Sequence, residues 1–127
     1  MKKIYKRDFK RNDKRHLLLF GYEEHHEKAS KELEITPPPN PHMRWNPSRQ
    51  EWVTYSSTRQ VRTAFPPKEY CPLCPGAELN FPTEIPFKNF EVAIFPNRWA
   101  SFNTAENQTS IDGLYVKPSN GECEVVV

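Results

Sequence analysis

The stretch EWVTYS at residues 51–56 alternates bulky and small polar side chains, a period of two that is typical of a β-strand. It follows NPSR at 46–49, whose asparagine and proline predict a turn, so residues 44–45 are expected to pair back as the other arm of a hairpin. Trp45 and Trp52 are expected to pack in the core, because aromatic strand residues usually do. This stretch therefore predicts an antiparallel sheet.

Three other stretches predict strands of the same sheet structure. They are RHLLLFGY at 15–22, FEVAIF at 90–95 and ECEVVV at 122–127. The charged residues 23–34 predict a helix or a turn. The expected fold class is therefore α+β, with a β-rich antiparallel sheet.

Composition excludes several classes of protein. The chain of 127 residues has room for one domain, and its apolar share of 36% predicts a thin core. Twelve of the 13 prolines lie between residues 37 and 96, which excludes a helical bundle. No apolar run approaches the roughly 18 residues of a membrane-spanning helix, and the basic start is not followed by the apolar region of a secretory signal. A cytoplasmic location is expected.

The N-terminus differs in charge from the rest of the chain. Residues 1–16 contain eight Lys or Arg and two Asp, whereas the whole chain has a net charge of only +2. The proline-rich stretch at 36–41 predicts an extended connector, so residues 1–36 are predicted to be a basic N-terminal arm with a short strand, and residues 37–127 a domain. Because little helix is predicted to cover the sheet, this domain is expected to be truncated at its C-terminus.

The motif YCPLCPG at residues 70–76 is the sharpest chemical signal. Two thiolates separated by two residues can bind one zinc ion, and Gly76 suits a turn that directs backbone amides at the sulfurs. A redox pair has the same spacing but normally begins a helix, which Pro75 and Gly76 would disrupt; two inert cysteines are the third possibility. Cys71 and Cys74 supply only half of a tetrahedral site. Candidates for the other ligands are Cys123, His16, His25, His26 and His42.

Two further groups of residues suit a nucleotide. Arg59 and Arg62 follow the strand at 51–56, and guanidinium groups three residues apart can bind a phosphate bidentately, although solvated arginines are the commoner case. The sequence FPNRW at 95–99 combines an amide, a cation and an aromatic ring that could hold a ribose or a base. Asn97 as an ordinary turn residue is the alternative.

Five motifs occur in an order and spacing that resembles the galactose-1-phosphate uridylyltransferase family, over about residues 40–127. They are RWNPSRQEWV at 44–53, RQVR at 59–62, CPLCPG at 71–76, PTEIP at 82–86 and EVAIFPNRWASF at 91–102. The resemblance implies the histidine-triad superfamily and its duplicated α+β unit. This chain would be an incomplete first unit, the N-terminal domain of a transferase.

The same resemblance implies an activity: transfer of a uridylyl group from UDP-glucose to galactose 1-phosphate through a covalent uridylyl-histidine, in a homodimer. The nucleophile of the family lies in a His-Pro-His segment, and no His-x-His occurs in this sequence. No catalytic residue is therefore assigned here, and the chain alone is expected to be inactive.

Site residues are also implied by the resemblance. Cys71 and Cys74 correspond to ligands of zinc, or of iron in its place. Arg59 and Arg62 match an arginine pair that reaches the nucleotide of the neighbouring subunit, Leu73 lies in the loop lining the base, and Asn97 matches a ribose-contacting asparagine. Arg98 belongs to the same substrate-binding set, although some members have aspartate there, and Thr63 replaces a frequent proline.

Two other functions remain open. A related sugar-nucleotide phosphorylase or adenylyltransferase of the same superfamily is the nearest enzymatic alternative, because the identity of the base is not readable from the sequence. A small zinc-binding or nucleic-acid-binding module would use the Cys71–Cys74 knuckle and the basic arm, although nucleic acid is the less expected partner because few aromatic residues interleave the basic ones.

Overall fold

The computed structural model describes residues 1–34, 40–61, 66–76, 81–104 and 115–127. Within these ranges there are seven strands and two short 3₁₀ helices (Ser57–Val61 and Lys68–Tyr70), and no α-helix. The strands are β1 (Tyr5–Lys10), β2 (His16–Gly21), β3 (His42–Asn46), β4 (Glu51–Tyr55), β5 (Val92–Pro96), β6 (Val116–Pro118) and β7 (Glu124–Val126). The chain divides into a first unit of Met1–Thr36, Ala64–Pro96 and Glu124–Val127 and a second unit of Pro37–Thr63 and Asn97–Cys123.

The first unit contains a four-stranded antiparallel sheet in the order β1-β2-β5-β7. Alternation in β2 sorts its side chains, so that Leu17 and Leu19 are fully buried while Leu18 and Phe20 are half-buried. Leu19 lies opposite Ala93 of β5 on the buried face. The buried apolar cluster of this unit consists of Leu17, Leu19, Ile85, Phe87, Ala93 and Phe95.

Strand β1 was not predicted from the sequence. Its residues pair along their whole length with β2, from Tyr5 opposite Gly21 to Lys10 opposite His16. Phe9 packs on the core, and its ring meets that of Phe87 edge-on at 5.0 Å between centroids. Residues 5–10 of the predicted basic arm are therefore part of a sheet.

Residues 23–34 do not form the helix that was one of the two predicted forms; after a bend at Tyr22 and Glu23 they have no regular secondary structure. Their polar groups bind the loop after residue 85 instead. The carboxylate of Glu27 accepts the backbone N–H groups of Lys88 and Asn89 at 3.2 Å. These contacts give the segment a partner that a solvated charged helix would lack.

The second unit contains a three-stranded antiparallel sheet in the order β4-β3-β6. The predicted β3–β4 hairpin is confirmed, and its turn forms as expected because Asn46 Oδ1 accepts the N–H groups of Ser48 and Arg49 at 3.1 and 3.3 Å. Trp45 and Trp52 face each other across the strands with ring centroids 5.6 Å apart. Both are half-buried, so they are not the buried core residues that the sequence suggested.

The β-rich antiparallel architecture is confirmed, and the strands predicted at 15–22, 51–56 and 122–127 form with narrower bounds, while the one predicted at 90–95 begins later and ends one residue further on, at Pro96. The α+β class, the histidine-triad unit and the boundary at residue 36 stay predictions. Across the described ranges, no helix combines the length and the apolar character needed to cross a membrane.

Asp13, in the β1–β2 turn, makes stability depend on pH. Burial raises the pKa of Asp13, but hydrogen bonds from the Arg15 side chain and backbone and the charges of Arg15 and Arg11 leave it below its usual 3.8. A carboxyl with a depressed folded-state pKa stabilises the fold above its unfolded-state pKa, and this stability is lost as pH falls through the folded-state value. We therefore expect Asp13→Asn to destabilise the protein at pH 7, and the difference in stability from the wild type to shrink as the pH falls below about 3.8. Urea unfolding at pH 7 and pH 3 measures this, and an equal difference at both would contradict it.

Candidate functional site

The Cys71–Cys74 turn lies in the first unit. It leaves the 3₁₀ helix Lys68–Tyr70, where the N–H of Cys71 donates to Lys68 O at 3.3 Å, and it is closed by the N–H of Cys74 donating to Cys71 O at 3.4 Å. Both cysteines are half-buried, and no disulfide joins them. The two thiols are therefore presented together on one tight turn.

The Cys71 sulfur is activated by its surroundings. A hydrogen bond from the Cys74 thiol lowers the pKa of Cys71; burial raises it, and hydrogen bonds from the amides of Leu73 and Cys74 lower it, so that the net pKa lies below the usual 9.0. A thiolate is the form that binds a metal, and amide N–H groups directed at a sulfur are typical of cysteine metal turns. The donor set fits two of the four positions of a tetrahedral zinc site.

The remaining metal ligands are not supplied by the part of the chain that the structure describes, which contains no group of three or more His, Cys, Asp or Glu side chains suited to a metal. Three candidate histidines contact other side chains or backbone: His16 Nδ1 lies 2.7 Å from Asp8, His26 Nε2 lies 3.0 Å from Glu24, and His25 Nδ1 lies 3.0 Å from Asn89 O. His42 accepts from Arg44 Nε at 2.9 Å, and Cys123 is half-buried in the second unit.

Three of the predicted substrate-binding residues meet around Trp99 in the second unit. Arg59, in the 3₁₀ helix Ser57–Val61, donates from Nη1 to Trp99 O at 3.2 Å and to Ser101 Oγ at 2.8 Å. Asn97 Oδ1 accepts the N–H of Trp99 at 2.9 Å, and the guanidinium of Arg98 lies 5.8 Å from the centre of the Trp99 ring. We call Arg59, Asn97, Arg98, Trp99 and Ser101 the Trp99 cluster.

Residues of the Trp99 cluster also make hydrogen bonds that hold the local backbone. Asn97 makes the turn that the sequence alternative predicted, since its side chain accepts a backbone N–H two residues on. Its own N–H donates to Cys123 O at 2.8 Å. Arg59 remains exposed although Nη1 is bound to the Trp99 backbone, and the cation that lies near the Trp99 ring is the guanidinium of Arg98. Such a pair suits an anionic ligand that carries a flat ring.

Of the predicted substrate-binding residues, Leu73 and Arg62 remain. Leu73 is 38% exposed at the tip of the Cys71–Cys74 turn in the first unit. Arg62 and Thr63 lie outside the described residues. Trp99 and Ser101 were not predicted as partners of Arg59, because they lie about 40 residues further along the chain and no local spacing signals the contact.

Comparison with known proteins gives a partial match. Over 88 residues, 67% of this chain, the sequence is 34% identical to a galactose-1-phosphate uridylyltransferase from Thermotoga maritima. The match spans 26% of that protein's length. No family model matches the chain, and no solved structure matches it. The protein that this part of the chain resembles is therefore a transferase of galactose metabolism.

Proposed function

We propose that this chain is the N-terminal segment of a UDP-glucose:hexose-1-phosphate uridylyltransferase, a nucleotidyltransferase of galactose metabolism. The observation that carries the proposal is the 34% identity over 88 residues to a protein of that name. A related sugar-nucleotide phosphorylase or adenylyltransferase is the alternative within the same class. The whole enzyme would act in the cytoplasm as a homodimer on UDP-glucose and galactose 1-phosphate.

In this proposal the Trp99 cluster contacts the nucleotide. Arg59 is exposed and held in one orientation by its bonds to Trp99 O and Ser101 Oγ, which lowers the entropy lost when its remaining N–H groups bind phosphate. Asn97 and Arg98 would contact the ribose, and Arg62 and Leu73 keep the nucleotide-binding and base-lining roles that the resemblance implies.

Cys71 and Cys74 would hold a zinc ion, or iron in its place, with two ligands from elsewhere in the complete enzyme. The support in this chain is the pair of thiols on one turn and the lowered pKa of Cys71. A bound metal would organise the loop that carries Leu73. No histidine of this chain lies in a His-x-His segment, so these residues bind and orient but do not form the uridylyl-enzyme bond.

Nucleotide binding tests the proposal directly. When UDP-glucose is titrated into ¹⁵N-labelled chain, we expect saturable shifts of the backbone amides of Arg59, Asn97 and Trp99. Arg59→Ala should weaken this binding at least about tenfold, because a charge-assisted bond to phosphate contributes roughly 1.5–3 kcal/mol. Arg59→Lys should recover only part of it, since lysine lacks the planar fork.

The control is Arg49→Ala, which removes an exposed arginine of the same unit that pairs with Glu51 and should leave binding unchanged. Equal shifts with ADP-glucose would favour the adenylyl alternative. Absence of shifts in the Trp99 cluster, or wild-type binding by Arg59→Ala, would contradict the proposal. So would stable labelling of His16, His25, His26 or His42 from UDP-glucose radiolabelled in the α-phosphate.

A further inference from the structure

A buried ion cluster sits beside the Cys71–Cys74 turn in the first unit. The carboxylate of Glu84 is 2% exposed, and its Oε2 accepts from Arg11 Nη1 at 2.6 Å and from Arg15 Nη2 at 2.8 Å. Arg11 Nη1 also donates to the backbone oxygen of Glu84 at 2.7 Å. Both arginines belong to the turn that joins β1 to β2, about 70 residues away in sequence. The turn and Glu84 are therefore joined at three points.

Glu84 is also bonded to the cysteine turn through its backbone. Its N–H donates at 2.9 Å to the carbonyl of Pro72, the residue that directly follows Cys71. The neighbouring Thr83 donates from Oγ1 to Cys74 O at 2.6 Å. Residue 84 thus binds a backbone carbonyl that lies between the two cysteines, and residue 83 binds the carbonyl of the second cysteine.

The exit of the turn is fixed in the same way. Gly76 N–H donates to Ile85 O at 2.7 Å, and Pro75 forms a parallel bridge with Ile85. A Cβ at position 76 would lie 2.8 Å from Thr83 Oγ1 and 3.2 Å from Thr83 N, so only glycine allows this approach. The segment of residues 83–85, which we call the clamp segment, therefore follows the cysteine turn along its length.

We infer that Arg11 and Arg15 are positioning residues for Cys71 and Cys74, acting through Glu84 and the clamp segment. The inference rests on the proposed metal role of the two cysteines. A buried carboxylate held by two arginines cannot move without leaving charges unpaired, so it fixes the clamp segment and thereby the backbone on which the sulfurs stand. A turn fixed in advance loses less entropy when it binds a metal, and partners behind the ligands usually raise metal affinity.

Glu84→Gln is the principal test. It leaves the side chain almost the same size but removes the charge that holds both arginines. Zinc affinity, measured by competition with a chromophoric chelator, should fall about ten- to a hundredfold, and the thiolate-to-Co²⁺ absorption band should weaken at a given Co²⁺ concentration. The Gly76 amide should exchange with solvent faster than in the wild type. Retained protection of the Leu19 amide, in the buried part of β2, shows that the sheet is still folded.

Thr83→Val is the second variant, for the case in which Glu84→Gln does not fold. It removes the bond to Cys74 O with little change of volume and leaves the ion cluster intact. A smaller loss of zinc affinity in the same direction is expected. Glu51→Gln is the matched control, because it breaks an exposed ion pair with Arg49 in the second unit and should change neither readout.

The outcomes separate this inference from the proposed function. Wild-type zinc affinity in folded Glu84→Gln and Thr83→Val would overturn the inference and leave the metal role standing. If the wild type binds neither zinc nor cobalt through its thiols, the metal role fails, and the inference is decided by Gly76 exchange. Unchanged exchange in the variants would then overturn it, and faster exchange would support positioning of the turn.

Discussion

Replacing Phe87 by alanine should unfold much of the first unit. Phe87 is 1% exposed, its ring meets Phe9 edge-on, and the guanidinium of Arg7 lies 4.7 Å from its centre. Truncating a buried phenylalanine costs about 3–5 kcal/mol, whereas a whole domain is typically stable by about 5–15 kcal/mol. Because the buried apolar cluster of this unit has only six members among its described residues, we expect the loss to approach its entire stability.

Amide exchange and urea unfolding measure this loss. Leu17 and Leu19 report on the first unit, because all three tryptophans belong to the second and their fluorescence would not. The matched control is Tyr22→Ala, which removes an aromatic ring of the first unit that is 52% exposed and should cost less than about 1 kcal/mol. If Phe87→Ala unfolds within about 1 kcal/mol of the wild type, the core is held by other contacts.

Strands with a strong local signal could be predicted from the sequence. Strand β2 contains a continuous apolar run, and β4 alternates bulky and small polar side chains over five residues, so both favour a strand without reference to the rest of the chain. The NPSR turn after β3 is equally local, since Asn46 binds N–H groups only two and three residues away. These features need no knowledge of the rest of the fold.

Strand β1 could not be predicted because its buried face includes a charge. The stretch YKRDFK places Arg7 on the side of Phe9, where the arginine covers aromatic rings and donates to Glu27 O at 2.7 Å. Without knowledge of the rest of the fold, the two basic residues near the strand's centre indicate a segment that is exposed to solvent. Only the pairing with β2 and the distant Phe87 makes the position favourable.

The candidate site shows the same division between local and distant information. The spacing of Cys71 and Cys74 predicted a turn that presents both thiols, and that turn is present, whereas its metal stays a prediction. The burial of Glu84 was not predicted, because PTEIP does not reveal that arginines 69 and 73 residues earlier surround the carboxylate. Arg59 could likewise be proposed as a phosphate ligand from its local sequence. Its hydrogen bond to the Trp99 backbone could not be predicted, because that contact too is distant in sequence.

Cys71→Ser should abolish measurable zinc binding. Four-ligand zinc sites bind with about 10–16 kcal/mol, so one ligand contributes roughly 2.5–4 kcal/mol, and two thiolates give only micromolar to submillimolar affinity. Serine stays protonated at neutral pH and cannot replace the thiolate. The expected loss is therefore on the order of a hundred- to a thousandfold.

Chelator competition at pH 7 and the thiolate-to-Co²⁺ band measure the loss of zinc affinity. Cys123→Ser is the control, because Cys123 belongs to the second unit whereas the paired thiols belong to the first. Wild-type binding should also weaken below neutral pH, since protons compete for both sulfurs, while the lowered pKa of Cys71, caused by Cys74 and nearby amides, favours its thiolate. Zinc retained in stoichiometric amount through dialysis by the wild type would instead indicate a closed site and a self-contained zinc-binding module. If Cys123→Ser then lost the metal together with Cys71→Ser, Cys123 would be a third ligand, and the assignment of a half-site completed by the rest of a transferase would be wrong.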